Sequence, residues 1–350
     1  MKTQYRLELL TTNEAAQWDD LIASCEGRDL FHRKAWLDYL AASRDIAIRM
    51  WAIREGNRIA GYFPAGIVTK GPFRILGSPL KSWATNFMGP VVGSDFNVRE
   101  FLQAIDDLAR QEHLSMVELE SQLACEEVLT AAGYEAVPGW TYIVKLTPEN
   151  PQLIWDAFES SCRNKIRKAS KLGLSAEDTD DPTLADEFYD QYIDLMRHKG
   201  LVPSYPREYP RLLFDYLKKK DLLFALRVRD GHGRVLATGL FPHDHRTLYF
   251  WAGASWRDGR EFAPNDYLQW HAMSLAAQRG LRVYNMCGYG RFKKKFGGTL
   301  TEIKRWHKCY RRVTRWARRG YELYFEKRLR LRGWWHNRVL TYYADRNRPN

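Results

Sequence analysis

One order of elements occurs twice along this chain of 350 residues, about 170 residues apart. Residues 50–68 read as strand, turn and strand, and a further predicted strand, a predicted helix at 98–113 and a last strand follow. Residues 222–243 begin the same series, which ends with a predicted helix at 264–280 and a strand at 281–288. Because five elements match in sequence, this order predicts two similar domains.

Proline and glycine mark the ends of the predicted helices in the second half. Pro151 stands at the start and Gly173 beyond the end of one segment, and Pro182 and Gly200 bracket the next. Proline is tolerated in the first turn of a helix, and glycine is favoured just past its end. The sequence therefore predicts one continuous helix in each interval, and a further helix that ends at Gly280.

Length and composition also favour two domains with cores of their own. A chain of 350 residues exceeds one typical domain, and 45% of its residues are hydrophobic. No segment approaches the roughly 18 uncharged apolar residues of a membrane span, and the start MKTQYRLELL is too short and too polar for a signal peptide. Five cysteines without C-x-x-C spacing indicate a reduced, cytoplasmic protein without a structural metal site.

Positive charge is concentrated near the C-terminal end. Residues 304–348 contain fifteen Lys and Arg against three acidic residues, which equals the net charge of +12 of the entire chain. Arginine mixed with Trp and Tyr suits an anionic membrane surface at the inner face of the membrane, and it also suits tRNA. A third interpretation is a terminal helix that packs on the protein with an arginine-rich outer face. No contact with DNA is expected.

Six short segments, in this order, resemble the FemAB-like proteins, relatives of the Fem peptidyltransferases that contain two GNAT acyltransferase domains. They are FHRKAWLDYL (31–40), RIAGYFPAGIV with FMGPVV, GYEAVPGWTYIVKLTP, RNKIRKASKLGL (163–174), APNDYLQWHAMSLAAQRGLRVYNMCG, and RFKKKFGG. The resemblance extends from about residue 30 to about residue 310. It is closest to FemAB-like proteins of exopolysaccharide and surface-protein gene clusters.

The resemblance implies an α+β fold of two tandem GNAT-like domains, each a mixed, mostly antiparallel sheet flanked by helices. The predicted boundaries are 1–148, 149–310 for the acyltransferase domain, and 311–350 for a basic helical tail. Two positions depart from the family pattern. Leu40 stands where Fem enzymes acting on UDP-linked precursors usually carry Lys, and residues 255–267 lack the spacing of the coenzyme A pyrophosphate loop. The donor is therefore open among acyl-CoA, another acyl carrier and aminoacyl-tRNA.

Acyl transfer requires hydrogen-bond donors for an oxyanion and a base for the nucleophile. In a GNAT-like fold the strands TLYFWAGAS and RVYNMCG splay apart, which frees backbone N–H groups to face the acyl oxygen. The helix start at Asn265 and Asp266 offers further donors and the positive end of a dipole. From composition alone, Lys293, Lys294 and Lys295 would be a solvated, flexible turn. The Phe-Lys loop of the family implies instead that Lys293 contacts a carrier phosphate or the oxyanion.

Spacing and resemblance together nominate the remaining site residues. Arg163 and Arg167 share a helix face, which either binds an anion or is simply solvated. Cys287 follows a strand, so it is either a covalent nucleophile or a small core residue. The candidate catalytic residues are Lys293, Asp266 and Tyr289, and the candidate substrate-binding residues are Arg163, Arg167, Tyr249, Trp251, Asn265, Tyr267 and Phe292.

The sequence thus predicts an acyltransferase. It would move an acyl or aminoacyl group to an amine or hydroxyl group of a small-molecule, polysaccharide or lipid-linked acceptor of the cell envelope. One alternative is aminoacyl-tRNA-dependent transfer into peptidoglycan precursors. Another is a catalytically inactive basic module that binds membrane or RNA.

Overall fold

The computed structural model describes residues 4–25, 27–120 and 126–320. The strands in this part of the chain are β1 (Tyr5–Leu9), β2 (Ile48–Glu55), β3 (Arg58–Lys70), β4 (Phe73–Ser78), β5 (Val91–Val92), β6 (Met116–Leu119), β7 (Glu135–Lys145), β8 (Ser175–Asp178), β9 (Leu223–Arg229), β10 (Val235–Pro242), β11 (Thr247–Tyr249), β12 (Ala252–Ser255), β13 (Val283–Asn285) and β14 (Thr299–Cys309). The helices are α1 (Thr12–Ala16), α2 (Trp18–Leu21), α3 (Lys34–Arg44), α4 (Val98–Gln111), α5 (Glu126–Ala131), α6 (Pro151–Asp156), α7 (Ser160–Lys171), α8 (Thr183–His198), α9 (Glu208–Leu217), α10 (Pro264–Gln278) and α11 (Arg291–Lys294).

The chain divides into two units. The first consists of Met1–Ile143, Cys287–Gly290 and Thr299–Thr314, and the second of Val144–Met286, Arg291–Gly298 and Arg315–Asn350. The domain boundaries at 148 and 310 stay a prediction. The two units differ from the predicted domains chiefly in β14, which was expected in the second domain but groups with the first unit.

The first unit is built on one mixed sheet. Its strands lie in the order β1-β2-β3-β4-β6-β14-β7, and β5 pairs with β3. The pairs are antiparallel except for β4 with β6, which run parallel from Ile75 opposite Met116 to Ser78 opposite Leu119. The helix α4 makes the connection that such a parallel pair requires.

Two hydrophobic clusters lie on the faces of this sheet, because successive strand residues point to opposite sides. Trp51 packs in the cluster that contains Phe101 of α4. Its neighbour Met50 packs with Leu37 and Leu40 of α3. Leu40, at the position of the family lysine, is therefore a completely buried core residue.

The second unit contains a four-stranded antiparallel sheet in the order β12-β10-β9-β8 and a parallel pair, β11 with β13. Helix α10 leads from β12 to β13 and buries Leu268, Ala272 and Ala276, which recur at helical spacing. Both units thus follow the predicted series of strand hairpin, strand, helix and strand. The predicted fold class, with mixed and mostly antiparallel sheets, is confirmed.

The helix predicted from Pro151 onward is two helices, α6 and α7, with a break between them. Phe158 lies in this break, and its buried ring contacts Trp270 (5.7 Å between ring centres) and Phe296 (5.4 Å). Burial of a large aromatic ring offsets the loss of continuous helix hydrogen bonding.

The third strand predicted in the first half, TNFMGPVV (85–92), is also shorter than expected, since only β5 forms. The loop before it is held by two carboxylates: Glu118 accepts the N–H of Lys81 (2.7 Å), and Glu120 accepts that of Phe87 (3.4 Å). These buried acceptors satisfy backbone donors that a longer strand would pair with another strand.

The basic tail begins later than the charge pattern indicated. Residues 304–309 belong to β14, where Lys304, Arg305 and Lys308 form ion pairs with acidic residues of the first unit. Residues 311–348 then carry twelve basic and three acidic residues, a net charge of +9. Residues 312–320 are helical, and the rest of the predicted tail lies outside the described residues. No helix in the described part of the chain is long and apolar enough to cross a membrane.

Candidate functional site

The parallel strands β11 and β13 end together where the sheet of the second unit divides. Tyr249 lies opposite Asn285, and the N–H of Phe250 donates to the carbonyl of Asn285 (2.9 Å). The following residues, Ala252–Ser255, pair with β10 instead. The single strand predicted over 247–255 is therefore two strands, and the expected splay occurs at Phe250.

Helix α10 begins next to the end of β12, but its first turn offers few donors to an anion. Pro264 has no N–H, and the N–H of Asp266 donates to the carbonyl of Ala263 (3.2 Å). The side-chain amide of Asn265 donates to Ser255 Oγ (2.8 Å). The carboxylate of Asp266 is itself buried in this turn. A buried acid thus occupies the place where the sequence predicted an open, anion-binding helix start.

The three consecutive lysines lie in three different environments. Lys293 is half-buried, and its Nζ donates to the carbonyl of Met286, directly after β13 (2.6 Å). Lys294 is exposed. The side chain of Lys295 is only 12% exposed and forms an ion pair with Asp266. The interpretation of a solvated residue is therefore wrong for Lys295, because its charge is almost buried and paired.

The Lys295–Asp266 ion pair lies against a buried cysteine of α7. Cys162 Sγ is 3.7 Å from Asp266 Oδ1. Burial, and after it the charge of Asp266, raises the pKa of the Cys162 thiol to about 12. The thiol therefore stays protonated near neutral pH and can donate to the carboxylate. Because Asp266 contacts both Lys295 and Cys162, it is suited to hold the segment around α11 in place.

The segment that follows the lysines is fixed firmly to the start of α7. The N–H of Glu159 donates to the carbonyl of Lys295 (2.9 Å), and the Phe296 ring is completely buried. Gly297 has a φ of +72°, and a Cβ there would meet the carbonyl oxygen of Ala157 at 2.3 Å. Only glycine fits so close to another backbone. The expected flexible turn is thus a short helix, α11, with a fixed exit.

The two arginine candidates of α7 contact neighbouring protein groups. The guanidinium group of Arg163 donates to the carbonyl oxygens of Asp156 (3.0 Å) and Phe158, at the end of α6. Arg167 lies over the ring of Trp155, 5.3 Å from its centre. Local packing explains these positions, and binding of an anionic substrate by either arginine stays a prediction.

The aromatic candidates differ in their exposure. Tyr249 is buried at the end of β11, whereas Trp251, at the strand break, is half-buried with its ring centre 5.3 Å from that of Tyr205. The other three are half-buried or exposed: Tyr267 on α10, Phe292 (37% exposed) on α11, and Tyr289 (68% exposed) in residues 287–290 of the first unit. Their roles in the site stay predictions.

Cys287 also groups with the first unit, where its backbone is left-handed (φ +51°). The side-chain nitrogen of Asn86 lies 3.7 Å from its Sγ. Burial lowers the pKa of His243 and of His271, which favours the neutral imidazole in both. Covalent catalysis by Cys287 stays a prediction.

Within the residues that the structure describes, no group of three His, Cys, Asp or Glu side chains is arranged to hold a metal ion.

Sequence reasoning did not identify Lys295 and Cys162 as members of this cluster. Their common partner, Asp266, is 29 residues from Lys295 and 104 residues from Cys162 along the chain. The one available signal was position, since Lys295 directly precedes Phe296 and the paired glycines, an apolar and tightly turning stretch.

Comparison with known proteins adds a family to this geometry. Residues 157–295 match a family model described as acetyltransferase (GNAT) domain, and no curated protein sequence matches the chain. FemX is similar in structure, with a TM-score of 0.69 and 16% identity over 85% of this chain and 96% of that chain. A domain described as the C-terminal domain of a lysylphosphatidylglycerol synthetase from Agrobacterium fabrum has a TM-score of 0.56 and 12% identity over 85% of this chain and 92% of its own.

A tandem GNAT protein from the clavulanic acid biosynthesis pathway has a TM-score of 0.50 and 11% identity over 87% of this chain and 98% of that chain. At such identities these structures show the fold alone. The residues that match the family model include the strands β11, β12 and β13, where the sheet divides, and also α10 and Lys293. The second unit is therefore a GNAT domain, and the chain is an acyltransferase. Its two units share the fold of FemX and of the tandem GNAT protein, in agreement with the resemblance read from the sequence.

Proposed function

We propose that the second unit transfers an acyl or aminoacyl group from a carrier to an amine or hydroxyl group of an envelope, polysaccharide or lipid-linked acceptor. The observation that carries this proposal is the position of Lys293. Its ammonium group lies at the end of β13, 5.5 Å from the centre of the Phe250 ring. At this point β11 stops pairing with β13, and the next strand, β12, pairs with β10 instead. A fixed positive charge at a strand opening suits a reaction that develops negative charge on a carbonyl oxygen.

The proposed reaction is a nucleophilic acyl substitution. A new C–N or C–O bond forms as the acceptor attacks the donor carbonyl, and the C–S or C–O bond to the carrier breaks. The nucleophile loses one proton, and the departing sulfur or oxygen gains one. Lys293 stabilises the oxyanion or the departing group, since a positioned charge acts more strongly in a partly buried site than in water. Asp266 positions Lys295 and, through it, the segment around α11.

The start of α10 favours an aminoacyl ester over acyl-CoA as the donor. A pyrophosphate group binds well at a helix start with free N–H groups, whereas Pro264 lacks one and the carboxylate of Asp266 would repel the phosphates. The name of one structurally similar protein, lysylphosphatidylglycerol synthetase, specifies an amino acid joined to a lipid. These two points support aminoacyl-tRNA as the carrier.

The first unit supports an acceptor other than a UDP-linked precursor. The residue that stands at the position of the family lysine, Leu40, is completely buried among apolar side chains. A side chain in that place does not reach a phosphate group of a bound ligand. This favours the lipid-linked or polysaccharide acceptor within the proposed range.

Transfer to hydroxylamine tests the proposal without knowledge of the natural acceptor. The purified protein is incubated with aminoacyl-tRNA or with acetyl-CoA, and the hydroxamate product is measured against the spontaneous reaction. We expect enzyme-dependent hydroxamate from aminoacyl-tRNA, and a loss of that activity in Lys293→Met. Equal rates with and without the protein for both donors would contradict the proposal, and activity with acetyl-CoA alone would overturn the choice of donor.

A further inference from the structure

Two large apolar side chains are exposed on one side of the helical segment 312–320. Val313 is 67% exposed and Trp316 is 72% exposed, and they lie one helical turn apart. Thr314, between them in sequence, is only 3% exposed, so a different side of the helix is the one covered by protein. A tryptophan side chain in this position forgoes the stabilisation that burial would give.

Arginine is the most frequent residue type in this segment. Residues 311–320 contain five arginines and no acidic residue, which is more than half of the net charge of +9 carried by residues 311–348. Arg311, Arg312 and Arg319 are exposed. A helix with a few exposed apolar residues flanked by arginine is typical of segments that lie in the plane of a membrane surface.

We propose that the segment 311–320 binds an anionic lipid surface. Val313 and Trp316 insert at the level of the headgroups, and the exposed arginines contact lipid phosphates, for which the planar guanidinium group is well shaped. RNA would attract the same arginines, but an aliphatic side chain such as Val313 neither stacks on a base nor accepts a hydrogen bond. The apolar pair therefore favours lipid over RNA. The surface lies outside the acyl-transfer site and does not depend on the proposed chemistry.

Vesicle flotation of the full-length protein tests this surface. The vesicles contain phosphatidylcholine alone or phosphatidylcholine mixed with phosphatidylglycerol, at low and at high salt. One variant combines Arg311→Glu, Arg312→Glu and Arg319→Glu, and a second combines Val313→Ser and Trp316→Ser. Each variant has a matched control at exposed positions elsewhere: Lys219→Glu with Lys220→Glu and Arg257→Glu for the charge change, and Trp140→Ser for the loss of an exposed tryptophan.

We expect binding to the anionic vesicles only, and weaker binding at high salt. The arginine variant should bind at least about 100-fold more weakly, because each basic residue near an anionic surface contributes about a factor of five. The Val313 and Trp316 variant should lose about tenfold, and both controls should bind as the unaltered protein does.

Two results would overturn the proposal: vesicle binding that both variants retain, or absence of vesicle binding by the unaltered protein. In the second case, tRNA binding that the arginine variant loses would identify the segment as an RNA-binding surface. Transfer to hydroxylamine is measured on the same preparations. Because it needs no membrane, its retention in a variant that no longer floats separates this proposal from the proposed function.

Discussion

The two units end their parallel strand pair in opposite ways. In the first unit, β4 and β6 stay paired over four residues, and Glu118, Glu120 and Arg305 form a nearly buried ion network at the end of β6. In the second unit, β11 and β13 pair over three residues before the sheet divides, and Lys293 lies at the opening. One order of elements thus produces a closed, acidic strand end and an open, basic one.

The proposed function assigns the chemistry to the unit whose strand end carries the positive charge. The carboxylates of the first unit accept the backbone N–H groups of Lys81 and Phe87, so those donors are not available to a substrate oxygen. Two carboxylates would also repel an oxyanion. In the second unit a cation occupies the corresponding place and contacts a backbone carbonyl. Under the proposed function, an oxyanion is therefore stabilised in the second unit and disfavoured in the first.

The largest effect should follow from breaking the closed strand end. Arg305→Met keeps a side chain of similar length but removes the guanidinium group that forms ion pairs with Glu118 and Glu120, whose side chains are 6% and 4% exposed. We expect the free energy of unfolding, measured with urea, to fall by about 3–5 kcal/mol. Lys304→Met is the matched control, since its partner Glu126 is largely exposed, and it should change stability little. Equal losses in the two variants would show that this ion network does not hold the strand end closed.

Removing the charge at the open strand end should affect turnover instead of folding. In Lys293→Met we expect the turnover number to fall about 100- to 1000-fold, which corresponds to about 2.7–4 kcal/mol of transition-state stabilisation. The exposed neighbour gives the control, because Lys294→Met should leave turnover nearly unchanged. Small and similar losses in both would mean that the lysines are surface charge and that the two strand ends do not differ in chemistry.

The second unit has a buried ion pair of its own, which allows a sharper comparison. Lys295→Met should lower the free energy of unfolding by about 2–3 kcal/mol, less than Arg305→Met because a single carboxylate loses its partner. Adding Asp266→Asn removes that unpaired charge and should recover part of the loss. Thermal unfolding of the single and double variants measures both values. No recovery in the double variant would indicate that Lys295 acts by packing alone.

The smallest effect is expected at the start of α7. Arg163→Ala removes donors from the carbonyl groups of Asp156 and Phe158 and should lower stability by about 1 kcal/mol. Arg167→Ala removes the contact with the Trp155 ring and an exposed hydrogen bond to Asn164 (3.3 Å), and it should cost less. A raised Michaelis constant at unchanged stability would instead favour the role in substrate binding predicted from the sequence.

Much of the fold could be predicted from sequence because it rests on local signals. The two strand hairpins and the helix α10 follow from apolar spacing and from turn residues that act over a few positions. The capping of α4 by Asn97, which accepts the N–H of Glu100 (3.3 Å), is a further local signal. The break between α6 and α7 could not be predicted locally, because Phe158 packs against the rings of Trp270 and Phe296, which are distant in sequence.

The sequence by itself determined the order of elements, the resemblance to a known family and the lysine run after β13. Only the tertiary structure decided which lysine faces the strand opening and which is paired. Lys293 and Lys295 are identical in chemistry and two residues apart, so no local pattern separates them. Asp266, 29 residues away from Lys295, separates the two lysines, because a nearly buried ammonium group requires a carboxylate partner. Charge pairing between residues that are distant in sequence depends on the folded chain. Such pairing makes the end of β6 different from the end of β13.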